Sequence, residues 1–244
     1  GQKNAAWSEM ARRLAHEIKN PLTPIQLAAE RLRLKYIDTL NPGQSEMLDR
    51  LTNTIIQQVE TMKDMVNTFS EYAYTPKISQ KNIDLNKLIQ EVVDLYSTLM
   101  NADRTIEMDL AENLPPIKAD TGRLRQVFNN LLHNAFDATP SNMHTVIKVK
   151  SHFVSNHGLD FVEIWIKDAG AGIADELIDR VFEPYVTSKA KGTGLGLAIV
   201  QKIIEEHGGI VWLENNDDSP GACAIIRLPV VTAVQHTNVN NINQ

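Results

Sequence analysis

The chain has 244 residues, 43% of them hydrophobic, a formal net charge of -6 and one cysteine. That length and apolar content suffice for one large domain or two ordinary ones with proper cores, and the acid excess argues against a wholesale nucleic-acid binder, which would carry a strongly basic face. The lone Cys223 excludes an intrachain disulfide and a four-cysteine zinc site, and no apolar run reaches the ~18 residues of a membrane-spanning helix.

The chain opens at Gly1 directly in a helical pattern, which reads as a soluble fragment of a longer protein. Apolar residues then fall at Ala11, Ala15, Ile18, Leu22, Ile25, Ala29, Leu32 and Tyr36, in alternating steps of four and three that make a coiled-coil-like seam. Inside this helix the stretch RLAHEIKNPLTP sets Pro21 and Pro24 where the helix should continue. A proline removes a backbone donor and crowds the carbonyl four residues back, so the disturbance from Pro21 falls on Glu17 and on His16 beside it. The turn NPGQ, at 41–44, leads into a second helix with Leu48, Leu51, Ile55, Met62, Met65 and Phe69 on a similar seam. A helical hairpin can hide only part of each stripe by itself. Two copies closing a four-helix bundle, hence a homodimer, are the expected state; packing against the rest of the same chain is the alternative.

This first domain is expected to cover 1–74, and Pro76 marks a linker within 75–82. From 83 to 230 short strands and helices mix. Helices are expected over Leu85–Met100, over Thr121–Ala138 and in TGLGLAIVQKIIEEHGG, and strands over Ile106–Leu110 and in TVIKVKSHFV, FVEIWIKD, IVWLEN and CAIIRLPV. The fold class is therefore α+β: a helical hairpin followed by an α/β sandwich with a mixed, mostly antiparallel sheet. Cys223 reads as a buried strand residue, and the polar, unperiodic tail 231–244 as disordered.

Three segments could carry chemistry. In QVFNNLLHNAFDA, Asn130 and Asn134 share one helix face, and their carbonyl oxygens could help hold Mg²⁺ together with phosphate oxygens; two solvated asparagines are the alternative. In DAGAGI, Asp168 ends a strand and could accept a hydrogen bond from an exocyclic amine, with glycines allowing close approach; a bare turn is the alternative. In KAKGTGLGLAIVQKI, three glycines open an amphipathic helix with Lys189 and Lys191 nearby, an arrangement that favours polyphosphate without having the P-loop spacing.

In this order, with FEPYVTSKAK before the last, the segments resemble the N, G1, F and G2 boxes of the sensor histidine kinases, and HEIKNP resembles their phosphoacceptor H box. The similarity covers roughly residues 7–230, and AWSEMARRLAHEIKNPLTPIQLAAERLR with VTSKAK is similar to nitrogen-regulation sensors of the NtrY kind. The resemblance implies ATP-dependent phosphorylation of His16, with Glu17 polarising its ring and Asn20 positioning water for dephosphorylation of a response regulator that also receives the phosphoryl group on an aspartate. It implies Mg²⁺ and phosphates at Asn134 and Asn130, and adenine read by Asp168 with Gly170, Gly172 and Ile173 along the base. Lys189, Gly192, Thr193, Gly194, Leu195, Gly196 and Leu197 would form the hinge and lid over the triphosphate, anchored by Phe182. It further implies a cytoplasmic domain of a membrane-anchored bacterial sensor whose sensing part lies upstream. Two departures stand out: Asp137 occupies a position that is basic in many relatives, and the stretch from Phe182 to Gly192 is short.

Rival readings are weaker. HEIKN lacks the second histidine of the zinc protease pattern HExxH. A clamp-driving ATPase of the same sandwich fold would not account for the His16 hairpin, and a non-catalytic scaffold would not need the full set of His16, Asn134, Asp168 and glycines.

Overall fold

A computed structural model describes residues 2–73, 77–98, 103–140, 144–187 and 194–231. The expectations for Lys189, Lys191, Gly192, Thr193 and the tail beyond 231 lie outside the described residues. The chain divides into two units, one built on helices α1 (Gln2–Tyr36) and α2 (Pro42–Ala73), the other an α/β unit starting at Ile78.

In the first unit α1 is assigned as helix through both Pro21 and Pro24. Asn41 starts α2, its Oδ1 accepting from the Gln44 N–H at 2.9 Å, and Pro42 follows where a missing N–H costs nothing. The apolar seam of α1 divides in two. Ala11, Ala15, Leu22 and Ala29 are buried, as are Thr52, Val59 and Ala73 of α2, whereas Ile18, Ile25 and Leu32 stay 38%, 48% and 49% exposed. Leu51, Ile55, Met62 and Met65 of α2 are likewise exposed. Mostly short residues, with Leu22 the exception, therefore close the hairpin, and Ile18, Ile25, Leu32, Leu51, Ile55, Met62 and Met65 lie on a surface the single chain leaves open. Polar links lie along the hairpin: Arg33 Nε donates to Asp49 Oδ1 at 2.6 Å, and Lys63 Nζ to Gln26 Oε1 at 2.7 Å.

The second unit runs β1 (Lys81–Ile83), α3 (Leu85–Thr98), β2 (Arg104–Leu110), β3 (Ile117–Ala119), α4 (Thr121–Asp137), β4 (Thr145–Asn156), β5 (Leu159–Lys167), α5 (Asp175–Ile178), α6 (Gly196–Glu206), β6 (Ile210–Asn215) and β7 (Ala222–Pro229). Lys81 and Asn82, assigned to the linker from the sequence, are strand residues: β1 pairs antiparallel with β3. The main sheet has the order β2-β4-β5-β7-β6. Its β2–β4 pair is parallel and the other three are antiparallel, the mixed and mostly antiparallel sheet expected. β4 and β5 join through a tight turn with His157 and Gly158 both at positive φ, the backbone twist that suits a two-residue hairpin.

Alternation decides which side of the sheet is core. Ile147, Val149, Val162, Ile164, Ile166, Ile226 and Leu228 are buried on the face that receives α4, α6 and α3, whose apolar stripes include Leu88, Leu124, Leu131, Val200 and Ile204. The opposite face carries a row across three strands, His152, Glu163 and Arg227, paired in register. Cys223 is buried, and that burial pushes its thiol pKa up to about 11, so it is an inert strand residue rather than a nucleophile.

Candidate functional site

Helix α4 is the spine of the α/β site, and its start is fixed by several groups at once. Asp120 Oδ1 accepts from Arg123 N at 3.2 Å, an N-cap, and its Oδ2 accepts from Ser79 N at 3.0 Å. The Asp120 N–H donates to His207 Nε2 at 3.0 Å, while His207 Nδ1 lies 2.7 Å from the Ile203 carbonyl oxygen. That pairing fixes the tautomer with hydrogen on Nδ1 and ties the end of α6 to the start of α4. Arg123 completes the arrangement through an ion pair to Glu206 at 2.6 Å. Burial opposes the ionisation of Asp120, but its two backbone hydrogen bonds and the nearby Arg123 guanidinium outweigh that and hold its pKa below the usual carboxylate value.

Along α4, segments far apart in sequence meet. Asn130 and Asn134 are half-buried, whereas His133 and Asp137 are exposed. Asn130 Nδ2 donates to the Gly196 carbonyl at 3.4 Å, which brings the opening of α6 beside this asparagine. One turn further, Ala138 N donates to the Asn134 carbonyl and closes α4. The DAGAGI loop packs there: a Cβ on Gly170 would meet the Ala138 carbonyl far inside contact distance, so the glycine is required by that close approach. The opening of α6 and the DAGAGI loop thus both meet α4, the first at Asn130 and the second at Ala138.

Asp168 sits at the end of β5 and is held by backbone groups. Its Oδ1 accepts from Gly170 N at 2.9 Å and from Ala222 N at 3.1 Å, and its own N–H donates to the Ala222 carbonyl at 2.9 Å. Gly172 has φ +80, and a Cβ there would lie 2.8 Å from Asn215 Oδ1, so both conformation and space require glycine. Ile173 is bonded at both backbone groups by Asn215.

Asn215, Asn216, Asp120 and His207 did not emerge from the sequence reading. The asparagines stand in ENNDDSPG between two strands, where such residues commonly bond nearby backbone; composition alone does not say that they bond a loop some 40 positions away.

Asp137, read as reducing positive charge near the phosphates, pairs with His133 at 3.2 Å. Gly194 adopts φ +71, Leu195 is buried, Gly196 and Leu197 open α6, and Phe182 is half-buried. In the helical unit His16, Glu17 and Asn20 are exposed on α1, His16 and Asn20 one turn apart. The backbone donors missing at Pro21 and Pro24 are those that would have bonded the carbonyls of Glu17 and Asn20. Among the described residues no cluster of three histidine, cysteine or acidic groups is placed to hold a metal.

Residues 6–75 match the His Kinase A (phospho-acceptor) domain, and residues 119–232 match the family of histidine kinase-, DNA gyrase B- and HSP90-like ATPases. The chain is 41% identical to the nitrogen regulation protein NtrY of Azorhizobium caulinodans over 93% of its own length, spanning 29% of that relative. Full-length ShkA, solved in complex with AMPPNP, superposes with a TM-score of 0.69 at 26% identity, covering 92% of this chain and 46% of that one. Histidine kinase ThkA, solved with the response regulator protein TrrA, gives a TM-score of 0.63 at 30% identity, covering 94% of this chain and 64% of that one. A phosphoacceptor-type hairpin with an exposed histidine, an ATPase-type sandwich whose three motifs converge on one helix, and these similarities together establish that the chain belongs to the sensor histidine kinases and is similar to the nitrogen-regulation kinase NtrY.

Proposed function

We propose that this chain binds ATP with Mg²⁺ along α4, phosphorylates His16, passes the phosphoryl group to an aspartate of a response regulator, and also dephosphorylates that regulator. The observation that carries the reading is the convergence along one helix. Gly170 and Asp168 lie at the Ala138 end and Gly196 at Asn130, eight residues earlier, about 12 Å along the axis. That separation suits a nucleotide with its base at one end and its phosphates at the other. Asp168, with Oδ1 held by two N–H groups, would accept from the adenine amine. The N–H groups that open α6 suit phosphate oxygens.

The residues fit the magnesium that the family implies. Asn130 directs its amide nitrogen to Gly196, so its oxygen is oriented for a cation or water, and Mg²⁺ needs few protein groups when phosphates and water supply the rest. When bound, the ion would neutralise charge on the phosphates; Asn130 and Asn134 would hold it.

At the hairpin, a neutral imidazole has a ring lone pair that can attack phosphorus, which a protonated lysine lacks. A ring nitrogen of His16 forms a bond to the γ-phosphorus while the bond from that phosphorus to the bridging oxygen breaks and ADP leaves. Glu17 stabilises the charge that develops on the ring. In the reverse role Asn20, one turn on, positions the water that attacks the regulator's phosphoaspartate. The exposed Ile18, Ile25 and Leu32 support a homodimer, since a second hairpin would cover them.

Incubation with γ-labelled ATP and Mg²⁺ tests the reading. An acid-labile, base-stable label on the protein is expected, absent in His16→Gln although that variant still binds ADP as wild type does; label retained in His16→Gln would refute it.

A further inference from the structure

Beyond Asp168 the DAGAGI loop leaves the β5–β7 ladder, and two side-chain amides at the end of β6 take over. Asn215 Oδ1 accepts from Ile173 N at 2.7 Å, and its Nδ2 donates to the Ile173 carbonyl at 2.9 Å. One amide thus satisfies both backbone groups of one residue, as a neighbouring strand would. Asn216 Nδ2 donates to the Asp168 carbonyl at 2.9 Å and to the Pro220 carbonyl at 3.0 Å, and Asn216 N donates to the Gly221 carbonyl at 2.9 Å, which braces the turn that carries these contacts. Both ends of the segment 168–173 are therefore fastened to the same pair of residues. An aspartate in place of Asn215 keeps the acceptor but loses the donor and sets a carboxylate against the Ile173 carbonyl, and serine is shorter.

We propose that Asn215 and Asn216 are positioning residues that set the preference of the site for adenine over guanine. The proposal rests on the reading of Asp168 given above. At the position where adenine offers an amine, guanine offers a carbonyl oxygen. A carboxylate locked in place accepts from the first and repels the second. Discrimination of this kind depends on the carboxylate being unable to turn away, because a loop free to shift accommodates the guanine carbonyl at small cost. Two amides that fasten both ends of the loop supply that rigidity.

The test measures displacement of a fluorescent ADP analogue by ADP and by GDP, using this 244-residue chain. The panel is wild type, Asn215→Ala, Asn215→Asp, Asn216→Ala and Asp168→Asn, each checked by thermal unfolding. For Asn215→Ala, ADP affinity is expected to fall about tenfold while GDP affinity changes by less than about twofold, the loss of two hydrogen bonds being felt only by the base they help to read. Asn216→Ala is expected to show a smaller loss of preference in the same direction. Equal loss for ADP and GDP would mean a merely structural role and overturns the proposal, as does an unchanged preference. Should Asn215→Ala fail to fold, Asn215→Asp and Asn216→Ala are judged by the same ratio. If wild type shows no preference, or Asp168→Asn keeps it, the Asp168 reading fails and this one with it. If Asp168→Asn loses the preference and the asparagine variants keep it, only the clamp fails.

Discussion

Glu163 shows how a single residue can be legible as a strand position yet obscure in its role. It is 4% exposed on the sheet face opposite the one that receives α4, accepting from Trp165 Nε1 and Arg227 Nε at 2.5 Å each and lying 2.9 Å from His152 Nε2. Burial opposes its ionisation, but the hydrogen bonds from Arg227 and Trp165 and the charges of Arg227 and His152 outweigh that and hold its pKa below the ordinary 4.5. A carboxylate with a depressed folded pKa contributes stability that is complete above its ordinary value and is lost as the pH falls through the folded one. The stability gap between wild type and Glu163→Gln in urea unfolding should therefore be widest at neutral pH and shrink as the pH falls below the ordinary carboxylate value of 4.5. A constant gap would mean that the ionised form is not what stabilises the sheet. Arg227→Met, which removes the arginine partner of this buried carboxylate, should cost about 3 kcal/mol near pH 7. Register explains what the sequence could not: His152, Glu163 and Arg227 come from three strands and meet only through pairing.

Helix α4 depends on Asp120 for more than a cap. Asp120→Ala removes the N-cap bond to Arg123 N and the tether to Ser79 N, and should lower the stability of the α/β unit by about 2 kcal/mol in denaturant unfolding. Asp120→Asn, whose one amide oxygen can keep the cap bond to Arg123 N but whose NH2 cannot accept from Ser79 N, should recover only part of it. For α1, Pro21→Ala restores the donor to the Glu17 carbonyl and should raise the helical unit's thermal midpoint, since a mid-helix proline costs about 3 kcal/mol. It should also shift the balance of kinase and phosphatase output, if the weakened turn lets the two parts of α1 move semi-independently around His16; an unchanged ratio in coupled assays would count against that role. The sequence foresaw the helices through their apolar spacing, and most strands through alternation. It missed β1, β3 and α5, three- and four-residue elements too short to have a period.

For the whole molecule, the exposed stripe of Ile18, Ile25, Leu32, Leu51 and Ile55 is the surface a partner hairpin would cover. Ile25→Glu combined with Ile55→Glu should raise the dimer dissociation constant at least about a hundredfold, each charge opposing burial in the seam. Sedimentation velocity would then show monomer at concentrations where wild type is dimeric, and a wild type that stays monomeric removes the bundle from the account. The sequence by itself determined the hairpin, the mixed sheet and the identity of the chemical motifs, because apolar periodicity and glycine, proline and acid spacing are local properties of the chain. It named His16, Asn130, Asn134 and Asp168 but not what holds them. Only the tertiary structure decided that α4 carries Asn130 to Gly196 and Ala138 to Gly170, that Asn215 and Asn216 fasten the Asp168 loop, and that His207 joins α6 to the start of α4. Those choices are made by register and by close approach between segments tens of residues apart, which no window along the chain contains.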